Sequence, residues 1–138
     1  MPAKDIFHDT VKQALIDEGW TITADPLLIR LVGLDLYVDL AAEKIIAAEK
    51  AGRKIAIEIK SFAGTSVITE FHAALGQFVN YRLALQTQEP ERVLYLAVPV
   101  ETYGDFFQLP FTRMVVENER VKLIVYNVEQ GVIVRWCE

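Results

Sequence analysis

Cysteine is almost missing from this chain: Cys137 is the only one in 138 residues. An intrachain disulfide is therefore impossible, and so is a cysteine-built zinc cluster. A lone thiol is the usage of a reducing compartment, and a cytoplasmic protein is expected. Glycine and proline are also sparse, at 7 and 5 residues. No Gly/Ser/Pro-rich linker and no internal repeat interrupts the chain, so residues 1–138 are expected to form one domain. No apolar run approaches the roughly 18 residues that a membrane span needs. The start, Met1-Pro2-Ala3-Lys4-Asp5, lacks an apolar signal core. Positive charge is short as well. Lys plus Arg number 14 against 19 Asp plus Glu, a formal net charge of −5. A protein that lives by bulk phosphate binding would be basic, so any DNA contact here has to be local, metal-assisted or shared with a partner.

Apolar residues are abundant, at 52%, with 24% charged. That balance excludes disorder and a coiled coil, and the length suffices to bury a core. Phe7, Val11, Ala14 and Leu15 recur at helical spacing and predict an amphipathic helix over 4–18, ended by Gly19. Trp20 to Thr23 alternates as a strand does, and Asp25-Pro26 breaks it. Residues 34–40 are apolar with two acids, Asp35 and Asp39. In 54–60 the β-branched Ile55, Ile57 and Ile59 alternate strictly, which predicts a strand. Ala51-Gly52 is a plausible hairpin turn, so 43–50 is read as its partner strand. A second helix is expected over 68–86, with Phe71, Leu75, Phe78, Val79 and Leu85 on its buried side. Residues 92–98 form a near-continuous apolar run, as a strand buried on both faces would. A short helix over 101–109 and a hairpin of 121–127 with 131–136 complete the chain. The order α-β-β-β-α-β-(α)-β-β is that of an α/β fold, a sheet with helices packed on it.

Glu58 and Lys60 stand out at the end of the 54–60 strand. They share the face opposite Ile55, Ile57 and Ile59. Charges on a strand of this kind need a reason. With Ala51-Gly52 as the turn, Lys50 stands opposite Arg53 and Glu43 opposite Lys60. Glu43 is then diagonal to Glu58, at about 7–8 Å between backbones. A three-residue turn would move Glu43 to the other face. Two carboxylates that close make an oxygen site for Mg²⁺, or for Mn²⁺. Such an ion lowers the pKa of a bound water and stabilises charge on a phosphoryl oxygen. Lys60 would position that water or the phosphate. The plainer alternative is an exposed sheet face with cross-strand ion pairs. His8 and Asp9 are most simply a solvated helix face, and His72 a helix-surface residue.

The acid…E-x-K pattern resembles the PD-(D/E)xK nuclease-like superfamily. The matching residues are Glu43 or Asp39, then Glu58 and Lys60. Asp39 fits by residue type, and geometry ranks Glu43 ahead of it. Gln77 and Tyr81, one turn apart on the next helix, are similar to the Q-x-x-x-Y motif of that superfamily's RecB-like branch. Residues 4–15, 47–62 and 71–81 resemble the XisH family, the cyanobacterial fdxN element excision controlling factors, and the likeness covers nearly the whole chain. It implies a restriction-endonuclease-like mixed sheet flanked by helices. It also implies a part in excising a DNA element, beside a site-specific recombinase and a companion controlling factor. Two functions stay open. One is phosphodiester hydrolysis with Mg²⁺ or Mn²⁺, using Glu43 (or Asp39), Glu58, Lys60, Gln77 and Tyr81. The other is a catalytically inactive, protein-binding regulator of a recombinase, for which the apolar final hairpin would also suit a homodimer.

Overall fold

The structure is a computed structural model that describes residues 4–46 and 51–138. Eight strands and four α-helices are present among them: α1 (His8–Asp17), β1 (Thr21–Ala24), β2 (Leu27–Leu31), β3 (Leu34–Val38), β4 (Leu40–Ile46), β5 (Ala51–Ile59), α2 (Val67–Gln88), β6 (Arg92–Pro99), α3 (Val100–Gly104), α4 (Pro110–Asn118), β7 (Leu123–Asn127) and β8 (Val132–Cys137). Six strands build one mixed sheet in the order β1-β4-β5-β6-β7-β8, and β2 and β3 pair separately. The β5–β6 and β6–β7 pairs are parallel, while the other pairs are antiparallel. Among the described residues no helix is long and apolar enough to cross a membrane.

Both faces of the sheet are covered. On one, Ile55, Ile57, Ile59, Tyr95, Ala97 and Ile124 pack with Val11 and Leu15 of α1 and with Trp20. On the other, Ala56, Leu94, Leu96, Val98 and Val125 pack with Phe71, Phe78 and Leu85 of α2 and with Phe107. β6 is buried along almost its whole length, as its apolar run predicts. Helix α2 is preceded by Ser66, whose side chain accepts a hydrogen bond from the Thr69 N–H and so caps one orphan donor. Val79, expected on the buried side of this helix, is 37% exposed. With 3.6 residues per turn, the Phe71–Phe78–Leu85 stripe leaves Val79 beyond its edge.

Three features depart from the sequence-based order. The segment between β1 and β4 folds into the β2–β3 hairpin, turned by Val32-Gly33 with Gly33 at φ 76°. A two-residue turn needs such a φ, and glycine adopts it without a Cβ clash. Helix α4 lies where the residue pattern predicts no element, and Pro110 opens it at a position where its missing N–H costs nothing. The expected 101–109 helix is α3 followed by a 3-10 turn over Phe106–Gln108.

The register of the β4–β5 hairpin is the chief correction. Ala51 and Gly52 lie inside β5, opposite Ile46 and Ile45, and Glu43 stands opposite Lys54. The expected pairing of Glu43 with Lys60 is therefore absent. The expected partner strand also covered residues 47–50, which lie outside the described residues. Burial decides the outcome. The observed register lays Leu40 and Ala42 beside Ile57 and Ile55, all fully buried. The expected register would have set Lys44 opposite Ile59, which is 1% exposed, and so buried an ammonium without a partner.

Candidate functional site

The sheet delivers Glu58 to the face that α2 covers, one residue before the end of β5. Glu58 is only 5% exposed, so the plainer picture of an exposed charged face does not hold. Asp39 takes the place that was expected of Glu43. It follows β3 directly and precedes Leu40, the residue opposite Ile57. That position brings it beside Glu58. Each acid accepts a backbone N–H from the other's segment. The Ile59 N–H donates to Asp39 Oδ2 at 2.7 Å, and the Asp39 N–H donates to Glu58 Oε1 at 3.3 Å. Lys60 Nζ lies 3.5 Å from Glu58 Oε2.

Gln77 and Tyr81 project from α2 into the same cleft, of about 280 Å³, with Asp39, Glu58 and Lys60. Gln77 Oε1 is buried there and has no hydrogen-bond partner among the described residues. Five of the six expected site residues thus meet. Glu43 does not. It sits beside Arg92, whose Nη2 is 3.7 Å from its Oε2, at the sheet position between Thr21 of β1 and Lys54 of β5.

Burial governs the electrostatics. It pushes the Glu58 carboxyl up to about 8; the Asp39 charge adds to the rise, and Lys60 opposes it. Asp39 is raised for the same first reason, partly offset by the Ile59 N–H and by His8 and Lys60. Tyr81 is pushed up to about 12 by burial and then by the two carboxylates, so its hydroxyl stays a donor at neutral pH. A pair of acids that cannot both ionise freely, set in a cleft with a lysine, is the arrangement that functional sites favour.

Several members were not legible in the pattern of charges. Lys4, Asp5 and Tyr37 also line the cleft. Asp5 accepts from the Ser61 N–H at 2.9 Å and from the Phe7 N–H at 2.9 Å, which ties the start of α1 to the end of β5. Tyr37, two residues before Asp39 on an alternating strand, carried the one available signal. His8 is buried, against expectation. Its Nε2 meets Asp25 Oδ1 at 2.7 Å, while Lys12 donates to Asp25 Oδ2 at 2.7 Å. Behind the site, Tyr126 Oη donates to the Lys60 carbonyl at 3.0 Å and so anchors the end of the strand. Phe62, just past it, holds φ 52° and is buried edge-on to Phe107. That left-handed backbone costs a phenylalanine roughly 1 kcal/mol or more, offset by its burial.

A family model described as XisH protein matches residues 1–134. Two crystal structures are similar over nearly the full length. An XisH family protein from Nostoc punctiforme is 51% identical with a TM-score of 0.88, and the match covers 97% of this chain and 100% of that one. An fdxN element excision controlling factor protein from Anabaena variabilis is 51% identical with a TM-score of 0.89, over 98% of this chain and 100% of that one. No curated protein matches.

Proposed function

Because the chain belongs to the XisH family and gathers two carboxylates beside a lysine in one cleft, we propose that it serves the excision of a DNA element through a restriction-endonuclease-like, metal-dependent phosphodiester-cleaving site. Its likeness to the Anabaena variabilis protein, an fdxN element excision controlling factor, supports the excision role. The pair of half-buried Asp39 and buried Glu58 carries the catalytic role. Lys60 only partly offsets the burial that holds the Glu58 carboxyl up to about 8, and a divalent cation would supply the charge that ionises both acids.

The residues fit such an ion. Among the described residues no three His, Cys, Asp or Glu side chains are placed to hold a metal ion together, but Mg²⁺ needs only one or two carboxylates, with waters and phosphate completing its shell. Mn²⁺ suits the same oxygen donors. The unpartnered Gln77 Oε1 leaves an acceptor free for a water in the cleft. Asp39 and Glu58 would hold the ion, and when bound it lowers the pKa of a water and stabilises charge on a phosphoryl oxygen. The chain's own groups do the rest. Lys60 draws the phosphate in and donates to a non-bridging oxygen. Gln77 orients the attacking water, and the Tyr81 hydroxyl donates to the DNA backbone. The net charge of −5 leaves the DNA to be held jointly with the recombinase and the companion factor that the family resemblance implies.

The reciprocal clasp favours a second function, a catalytically silent regulator. Each acid already accepts a backbone N–H of the other's segment, as a purely structural lock would. Edge strand β8, with Val132 and Val134 exposed, would then serve protein pairing, a homodimer included. A nuclease assay on branched, nicked and linear DNA separates the two. Cleavage that needs Mg²⁺ or Mn²⁺ and disappears in Glu58→Ala supports the enzyme. Metal binding without cleavage on any substrate supports the regulator, and no metal binding at all overturns the site.

A further inference from the structure

Helix α2 has a second cleft on its other flank, where Phe78, Arg82 and Leu85 point away from the Gln77/Tyr81 side. It measures about 190 Å³ and is lined by Arg82, Arg92, Arg120 and Lys122 over a floor that includes Phe78 and Leu94. Four of the 14 Lys and Arg residues of an acidic chain thus surround one small space. Grouped like charges repel, and an acidic protein has no shortage of carboxylates to separate them.

Carboxylates compensate only part of the cluster. Arg92, 8% exposed, is tied to Glu89 at 3.0 Å, to Glu43 at 3.7 Å and to the Ile55 carbonyl at 3.0 Å. Arg82 reaches Glu119 at 4.0 Å and donates to the Glu119 and Arg120 carbonyls. Those two bonds pin the linker between α4 and β7. Among the described residues, no carboxylate lies within salt-bridge distance of Arg120 or Lys122; Glu138, already held down by Tyr95 and paired with Arg53, is lowered further by Lys122 from beyond that distance. Arg120 holds φ 53° as the left-handed residue that closes α4, where the Val121 N–H donates to the Val116 carbonyl at 3.0 Å. A guanidinium and an ammonium without a carboxylate at salt-bridge distance thus stand beside the same cleft as the two paired arginines.

We propose that this cleft binds a phosphate group, either free phosphate or a phosphate of a nucleic-acid chain. A guanidinium fork and an ammonium satisfy phosphate oxygens with charge-assisted hydrogen bonds, and the anion removes the repulsion. The site is separate from the carboxylate cleft, with α2 between them, and it does not depend on divalent metal.

The test is a calorimetric and thermal-melt titration of the full chain with inorganic phosphate, at constant ionic strength set by chloride and without metal. Phosphate raises the melting temperature of the native protein and of Glu58→Gln alike. Lys122→Gln weakens phosphate binding by about tenfold, the usual loss for one charged hydrogen bond. Arg120→Gly does the same while keeping the fold, because glycine relaxes the φ of 53°. A 5′-phosphorylated single strand that competes with phosphate identifies a nucleic-acid source, and failure to compete identifies free phosphate. No phosphate-specific shift in the native protein, or an equal shift in both variants, overturns the proposal.

Discussion

Replacing Glu58 by Gln removes from the folded state a proton that it retains far longer than the unfolded chain does. Burial holds the Glu58 carboxyl at about 8, against 4.5 for the group in water. An acid whose folded pKa is raised leaves the native state binding more protons than the unfolded one throughout that window. Stability therefore falls as pH rises from about 4.5 to 8, by up to about 1.4 kcal/mol per pH unit. The cost attributable to Glu58 is roughly 1 kcal/mol at pH 5 and roughly 4 kcal/mol at pH 8. Glutamine keeps an oxygen for the Asp39 N–H and never ionises. Denaturant unfolding from pH 5 to 8.5 reads the difference. The native protein loses stability across the range, and Glu58→Gln gains on it steadily, by about 3 kcal/mol from pH 5 to 8. Saturating Mg²⁺, which favours the ionised pair, flattens the native curve. Parallel curves for the two proteins would refute the assignment of a buried, desolvated carboxyl to Glu58.

Lys60→Ala removes the cation that opposes the rise at Glu58, so the alkaline end of the stability loss moves above pH 8 in the same measurement. Millimolar Mg²⁺ or Mn²⁺ should raise the melting temperature of the native protein and of Glu43→Gln, but not of Asp39→Asn; stabilisation at a hundredfold excess over Kd is about 2.7 kcal/mol. Equal metal response in Asp39→Asn would remove Asp39 from the site. Tyr126→Phe deletes the bond to the Lys60 carbonyl and costs about 1 kcal/mol, or about 3 °C in a thermal melt. Without divalent metal, plain duplex DNA binds weakly at physiological salt, because a chain of net charge −5 has few cations for counterion release; submicromolar affinity in a filter or anisotropy assay would contradict this.

The site is legible in local spacing and illegible in long-range pairing. Glu58 and Lys60 are two apart on a strand, and Gln77 and Tyr81 four apart on a helix, so each pair shares a face by backbone geometry alone. Glu43 against Asp39 is a different kind of choice. It depends on a turn, and Ala51-Gly52 carries a turn signal that the fold does not use. Moving the pairing puts Leu40 and Ala42 onto Ile57 and Ile55 and leaves Lys44 at the margin, 5.8 Å from the ring centre of Trp20. Burial of several apolar side chains outweighs one two-residue turn preference.

Composition and periodicity by themselves determined the class of this protein: a mixed α/β chain, acidic, stapled by no disulfide, with an E-x-K strand followed by a Q-x-x-x-Y helix. Those properties follow from the residues in order, because charge is additive and the periods of strand and helix are set by the backbone. Only the tertiary structure decided that Asp39 partners Glu58, that Glu58 is buried deeply enough to hold on to its proton, that His8 lies inside, and that four cations gather on the far flank of α2. Each of these is a meeting of segments distant in the chain. Such meetings are selected by which apolar faces can be buried together, a sum over the whole core that no single stretch of sequence contains.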